Sequence, residues 1–501
     1  MARARSVSSA ATLRLWLSFI RTFDFILMLL LRKLLWQNAR RIAFPHRRGL
    51  LTLAIETSCD DTSVAIVNKN DQTGAAQIRF LENITPDLTD YKGIHPILAL
   101  EAHQENLAEL LNKALSHLPF APESQNDAAK IVPLPDGKRQ KPDFISVTRG
   151  PGMRSNLFVG LDTAKGLSVA WQIPFVGVHH MQAHLLTPRL VSALALSESS
   201  QSSTDQPTIT PSFPFLSILA SGGHTLITSS SSLTSHSILA TKTDVAIGEG
   251  LDKAARAILP PSLLRTSKTT MYGKLLEQFA FPNGPADYAD YTAPRNRGEE
   301  IDASKVKTPY GWFITTPFAQ TRQLELSFAV VAPTVERIIS RKETAGQEIN
   351  RDERVLLARE SMRTCFEHLA SRTIIALESL CEVKTNSKAV HKPISSTVPV
   401  KTLVVSGGVA ANKFLMKVLR SFLDVRGFAN IEIVAPPPAL CTDNAAMIGW
   451  AGIEMFEAGW RSERGVRALR KWSLDPEFEG KEAEEGEGGV LGVGGWVRHD
   501  K

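Results

Sequence analysis

Residues Leu51–Val67 read LTLAIETSCDDTSVAIV, and this stretch decides the fold. Two apolar runs, LTLAIETS and TSVAIV, flank a turn that carries Cys59, Asp60 and Asp61. Apolar runs on both sides of a short polar turn predict a β-hairpin. About 160 residues later, Phe215–Thr228 reads FLSILASGGHTLIT and repeats the design with a turn of small and hydroxyl residues. A hairpin at the head of each half predicts two similar lobes facing one cleft.

Just after another apolar run, V-G-V-H-H-M-Q-A-H-L-L-T sets His180 and His184 four residues apart. If a helix opens here, both imidazoles lie on one face and can bind a single metal ion. A zinc protease with this spacing carries Glu directly after the first His as its general base. This chain has Met181 there, so the protease reading lacks its base and a third ligand has to come from elsewhere. Asp443, in C-T-D-N-A-A-M-I-G-W at the expected start of a second helix, is the best candidate. Two His and one carboxylate leave coordination positions open for a substrate. Two ordinary histidines can have the same spacing, so context has to decide. Iron and zinc both suit these ligands.

Three glycine turns follow strand-like runs: T-R-G-P-G-M after D-F-I-S-V, S-G-G-H after F-L-S-I-L-A, and S-G-G-V-A-A-N after T-L-V-V. Without a side chain, backbone N–H groups can approach a phosphate or an adenosine face, although such turns can also be purely structural. In their order along the chain, E-T-S-C-D-D-T-S (56–63), H-M-Q-A-H, S-G-G-H (221–224), S-G-G-V-A-A-N (406–412) and T-D-N-A-A-M resemble the tRNA N6-adenosine threonylcarbamoyltransferase family. The resemblance runs from about Leu51 to about Trp472, with insertions.

The resemblance implies an α/β, two-lobed actin-like and sugar-kinase-like fold, each lobe a mixed β-sheet flanked by helices. It puts lobe I at 50–212, lobe II at 213–435 and a return to lobe I at 436–475. It also implies the reaction: the threonylcarbamoyl group moves from threonylcarbamoyl adenylate to N6 of adenosine 37, beside the anticodon, in tRNAs reading ANN codons, and AMP is released. A separate synthase would supply the adenylate. On this resemblance His180, His184 and Asp443 hold one divalent metal, Fe or Zn, per subunit. Leu219, Ala220, Ser221, Gly222, Gly223, Asp252, Gly273 and Asn412 bind substrate, and Asp60 orients or deprotonates the attacking amine. Each has a plainer alternative. Asp252 could pair with Arg256 on a helix surface, Asn412 could cap a helix, Asp60 could be an Asx-turn residue, and His103 could face solvent. Gly273 lies in M-Y-G-K-L-L-E where the family has P-G-G-P, and L-S-F-A-V-V replaces its S-F-S-G, which bears on Ser327 and Phe328. Rival readings on this fold are an ATPase or sugar kinase, or a non-catalytic nucleotide-binding scaffold.

The chain has 501 residues, 43% of them hydrophobic, enough for a large core and two or three domains. Its net charge of +6 is unevenly distributed. The first 48 residues hold ten Arg or Lys against the single acid Asp24, which leaves the remainder slightly acidic. An Arg-rich, acid-poor start with Ser6, Ser8 and Ser9 predicts a mitochondrial transit peptide at 1–48 and a matrix location. The apolar run Phe25–Leu31 is too short for the ~20 residues of a spanning helix, so no membrane association is expected. Cys59, Cys365, Cys381 and Cys441 have neither paired metal spacing nor disulfide density.

A slightly acidic body needs a local basic surface to bind tRNA. Arg461, Arg464, Arg467, Arg470 and Lys471 form the densest one, at near-helical spacing; a solvated helix face is the alternative. Polar insertions are expected at 197–212, 341–354 and 383–400, a similarly polar but partly ordered one at 284–310 near Tyr288, Tyr291 and Trp312, and an acidic, Gly-rich tail at 477–501, disordered from Glu477 to Gly495. A mitochondrial member of this family is expected to act as a homodimer.

Overall fold

The computed structural model describes residues 49–87, 91, 94–123, 127–198, 208–266, 271–382, 400–477 and 489–499. The chain divides into two units, 1–48 and Gly49–Lys501, and all the described residues belong to the second. The expected transit peptide, most of the segment 383–400 and part of 197–212 therefore lie outside them.

The first sheet begins with the meander β1 (Gly49–Glu56), β2 (Thr62–Asn70) and β3 (Ala76–Ile84). Helix α1 (Pro96–Leu115) and a small hairpin, β4 (Ile131–Leu134) with β5 (Gly137–Gln140), precede β6 (Phe144–Gly150). Helix α2 (Arg154–Trp171) then crosses to β7 (Phe175–His179), and α3 (His180–Glu198) follows without a loop. The order is β3-β2-β1-β6-β7, with β6 and β7 parallel to β1.

The second sheet repeats this order. Its meander is β8 (Phe215–Ala220), β9 (Thr225–Ser230) and β10 (His236–Lys242). Helices α4 (Ile247–Ile258) and α5 (Gly273–Ala280), strand β11 (Glu325–Leu326), and helices α6 (Val331–Thr344) and α7 (Arg351–Glu382) lead to β12 (Thr402–Ser406). Helix α8 (Lys413–Val425) connects to β13 (Glu432–Val434), giving β11-β10-β9-β8-β12-β13. Again the two added strands run parallel to the first strand of the meander.

Strand alternation gives the first sheet two apolar faces. Leu51, Leu53 and Ile55 of β1 pack with Leu107 and Leu110 of α1 and Leu157 and Leu161 of α2. Ala54, Ala65 and Val67 face α3 and α9 (Ala445–Glu457), so the chain returns to the first sheet after building the second. Helix α9 approaches closely because its contact face is bare. A Cβ on Gly449 would lie 2.9 Å from Val67, and one on Gly452 2.0 Å from the Ser146 hydroxyl. Each fully buried Leu, Ile or Val contributes roughly 1.5–3 kcal/mol, so these faces hold the sheet between its helices. The core of the second sheet gathers α4, α6, α7 and α8.

Two expectations are corrected. The segment 341–354 is no solvated insertion: it ends α6 and begins α7, with Ile349 and Glu353 buried. Within 284–310, by contrast, buried Tyr288 and Glu300 agree with the partial order expected there. The tail is not disordered throughout, because β15 (Trp496–Arg498) pairs with β14 (Trp460–Ser462) and Val490 is fully buried. Apolar side chains spaced through a polar segment are enough to dock it on a core. Among the described residues no helix is long and apolar enough to cross a membrane.

Candidate metal centre

His180 is the first residue of α3, so the strand-to-helix junction itself sets its position. The preceding His179 donates from Nε2 to the Trp472 carbonyl (3.0 Å), and its Nδ1 accepts the Gln182 N–H (3.4 Å), which closes the first turn of the helix. His184, one turn on, lies on the same face, with its ring centroid 4.8 Å from that of His180. Met181, in the place where a zinc protease carries its Glu, is buried in the core.

Asp443 precedes α9, and Asn444 fixes its loop. The Asn444 oxygen caps the Met447 N–H (3.0 Å), its amide donates to the Thr442 carbonyl (2.8 Å), and the Ala445 N–H donates to Ser63 Oγ (2.9 Å). Asp443 Oδ1 lies 3.0 Å from His184 Nε2 and 3.5 Å from His180 Nε2. A single ion about 2.0–2.2 Å from each atom would leave such spacings between its ligands. The Asp443 side chain is 25% exposed and the two histidines are buried, so any open coordination position faces outward. These residues therefore fit a metal ion.

Behind His180 stands an acid to which the sequence assigned no role. Glu56, the last residue of β1, is fully buried, with its carboxylate 3.6 Å from His180 Nδ1. It accepts the Ser58 N–H (2.7 Å) and the Thr148 hydroxyl, while Ser58 Oγ lies 3.1 Å from the same His180 nitrogen. Burial opposes charge on His180, but Asp443 and Glu56 outweigh it and raise its pKa to about 9. Burial likewise favours neutral carboxyls at Glu56 and Asp443, and the facing imidazoles overcome this and hold both below the usual range. A metal ion binding here would displace a proton from His180.

Of the acidic turn, Asp61 accepts the Thr85 hydroxyl, and burial lifts its pKa to about 7, assisted by Asp60 and Asp443. Burial also raises Asp60. His103 does not face solvent. It is fully buried in α1, bonded to Thr62 Oγ1 (2.7 Å) and to the Cys59 carbonyl (3.0 Å), and so clamps the turn.

The second hairpin brings its turn to the same centre. Leu219 and Ala220 are buried at the end of β8, Ser221 Oγ accepts the His224 N–H (3.0 Å), and Gly222 and Gly223 are exposed. A Cβ on either glycine would meet nothing within 4 Å. His224 is depressed to about 4, first by burial and then by the positive His180, so the turn lies within electrostatic reach of the histidine pair. The approach of α4 underneath requires Gly248, whose Cβ would lie 2.8 Å from the Ser221 carbonyl. Asp252 and Gly273 also meet: Asp252 Oδ1 accepts the Tyr272 N–H (2.7 Å), and burial raises its pKa to about 6. Its polar partner is this backbone, with Arg256 a lesser influence. Asn412 is buried, and its oxygen caps α8 through Phe414 N (3.0 Å) and Leu415 N (3.1 Å).

The basic segment is not a helix. Arg461 lies in β14, and the residues beyond are extended and irregular, with Val466 and Ala468 buried. Arg464, Arg467 and Arg470 are exposed, whereas Arg461 is partly covered and donates to the Phe456 (2.8 Å) and Trp460 (2.7 Å) carbonyls. Spacing of three residues matches a helix in sequence, but strand pairing and alternate burial decide otherwise.

Residues 79–450 match the family model described as tRNA N6-adenosine threonylcarbamoyltransferase. A Schizosaccharomyces pombe protein named "tRNA N6-adenosine threonylcarbamoyltransferase, mitochondrial" is 34% identical, over 91% of this chain and 90% of its own length. A Zymomonas mobilis protein of the same name without the location is 28% identical, over 86% of this chain and 93% of its own. A probable mitochondrial form from Arabidopsis thaliana is 29% identical, over 82% and 70% respectively.

Proposed function

The chain belongs to the tRNA N6-adenosine threonylcarbamoyltransferase family, and from that premise we propose how its residues divide the reaction. It is an acyltransferase that modifies tRNA. The amine of adenine is a weak nucleophile because its lone pair is delocalised into the ring, so its partner is an activated carbonyl. In threonylcarbamoyl adenylate that carbonyl carries AMP as leaving group. The amine nitrogen of adenosine 37 bonds to the carbamoyl carbon, the bond from that carbon to the phosphate oxygen breaks, and AMP departs.

His180, His184 and Asp443 would hold the metal, which when bound supplies a Lewis acid beside the threonylcarbamoyl group. Glu56 and Ser58 orient His180 from behind. Asp60 takes the proton that the amine loses, and burial, which raises its pKa, strengthens it as a base. The bare Gly222–Gly223 turn leaves room for the adenylate phosphate, with Leu219, Ala220 and Ser221 below it. Asp252, Gly273 and Asn412 complete the nucleoside side. The target base leaves the anticodon stack to reach this centre.

The repeated sheet order supports a two-lobed actin-like arrangement. Mitochondrial names among the relatives and the Arg-rich start support import to the matrix, checked with a reporter carrying residues 1–50. Exposed Ile97 on α1 and Phe158 and Val169 on α2, in one packed layer, support a homodimer. The adenylate comes from a separate synthase.

The observation that carries this reading is the convergence of both Nε2 atoms on Asp443 Oδ1. Purified protein given threonylcarbamoyl adenylate and tRNA should release AMP and modify the tRNA. ATP hydrolysis or sugar phosphorylation without AMP release would favour a kinase, and nucleotide binding without turnover a scaffold.

A further inference from the structure

Arg149, the sixth residue of β6, carries a buried guanidinium with an open valence. It is 4% exposed, and its Nη1 is buried without a hydrogen-bond partner. Nε donates to the Arg467 carbonyl (3.1 Å), and the guanidinium carbon lies 5.5 Å from the centre of the Trp472 ring, so the plane of the fork is held. Among the described residues no carboxylate pairs with it. Leaving one N–H of a charged group buried and unsatisfied is costly, and a partner that restored the bond would recover that cost. Burial lowers its pKa to about 10, so it stays cationic at neutral pH.

This guanidinium lines a cavity of about 440 Å³, separate from the metal centre. Arg467, exposed, lines it too, and Gly465, Gly492, Gly494 and Gly495 leave part of its wall without side chains, beside Val466, Leu469 and Val493. Among the described residues, the acid that lines it is Glu463, which is exposed to solvent. The wall is well anchored: Leu469 N donates to the Arg149 carbonyl (2.8 Å), Gly152 N to the Arg470 carbonyl (3.2 Å), and Gly177 N to Ser462 Oγ (2.9 Å). Gly177 is bare where Arg149 lies, since a Cβ there would come within 3.1 Å of the arginine stem.

The structure assigns this cavity as a phosphate site, with the buried fork of Arg149 at its floor, Arg467 as a second cation and glycine backbone in its wall. A planar guanidinium matches two phosphate oxygens, and a water-poor setting strengthens each charge-assisted bond. The neighbouring residue, Thr148, bonds Glu56 behind His180, so the cavity and the metal centre share strand β6. Resting on the function proposed above, we take the phosphate to be one in the tRNA backbone. The same chemistry would accept free phosphate or a nucleotide.

The test uses the full chain, inorganic phosphate followed by calorimetry, and tRNA binding followed across a salt series. Expected is phosphate binding that weakens at least about tenfold in Arg149→Lys, which keeps the charge and loses the fork. Arg467→Ala, at an exposed position, should weaken it too, and bound metal should be unchanged in both. In the tRNA arm, phosphate should compete, and the slope of log K against log salt should fall by about 0.9, one phosphate contact, in Arg467→Ala, which removes a charge, and stay nearly unchanged in Arg149→Lys, which keeps it. Phosphate binding without competition assigns the site to a free phosphate or nucleotide. Absence of phosphate binding, with a salt slope unmoved in Arg467→Ala, overturns it. Because the phosphate arm needs no tRNA, failure of the transferase reading would appear separately, as absent AMP release by the unaltered protein.

Discussion

The turns of the β1–β2 and β8–β9 hairpins occupy corresponding places in their sheets and are built oppositely. Thr57–Asp61 is crowded with polar and acidic side chains, is pinned by His103 from α1, and follows Glu56, whose carboxylate faces His180. Ser221–His224 has bare glycines that meet nothing where a side chain would stand. One backbone design thus serves two tasks. The acidic turn prearranges charge for a cation and for proton transfer, and the glycine turn leaves a volume for a ligand. The difference lies in side chains and in one residue of turn length, so substitutions can separate the two roles.

The largest effect is expected from breaking the acidic side at its ligands. His184→Ala or Asp443→Ala should remove bound metal and lower transfer more than about 100-fold with the fold retained, since neither side chain is part of the apolar core. Metal analysis beside circular dichroism checks this, and unchanged metal content in both variants would sink the site. Next comes Glu56→Gln, which keeps the shape and removes the charge behind His180. Metal affinity should fall about 10–100-fold, the usual cost of losing a partner that orients a ligand. Equal affinity would mean that Glu56 only packs.

On the glycine side the two effects should part. Gly248→Ala forces a Cβ to within 2.8 Å of the Ser221 carbonyl and should cost about 1–3 kcal/mol of stability, read from denaturant midpoints. Gly222→Ala meets open space, so stability should stay within about 0.5 kcal/mol while adenylate binding weakens. The opposite pattern would make the turn structural.

A smaller effect concerns pH and lies away from both turns. His236 is buried and neutral, its Nδ1 bonded to Ser230 (2.9 Å) and its Nε2 donating to the Leu233 carbonyl (3.0 Å). Burial depresses its pKa from 6.5 to about 4, so between those values the unfolded chain binds the extra proton. The contribution is therefore fully present above pH 6.5 and is lost as pH falls towards 4. Unfolding midpoints across this window should drop with acid, and less steeply in His236→Gln.

Both hairpins are legible in the amino-acid sequence, because alternating apolar runs around a polar turn are a local signal. So is the histidine pair, whose four-residue spacing needs only a helix, and α3 begins at His180 itself. Asp443 stands out only as a carboxylate at an expected helix start, since nothing local says that residue 443 returns to the first sheet. The basic segment misleads for the same reason: the spacing of Arg461, Arg464, Arg467 and Arg470 fits a helix until β15 pairs with β14.

The chain by itself therefore determined the apolar periodicities, the two turns, the ligand types and the charge of its start, all properties of neighbours in sequence. Only the tertiary structure decided that Glu56 meets His180, that His103 turns inward to clamp Cys59, and that Arg149 is left with a buried, unpartnered N–H. Those depend on which side chains remain when distant segments pack together and water leaves, and in that setting the cost of each unmatched charge depends on residues far away in sequence.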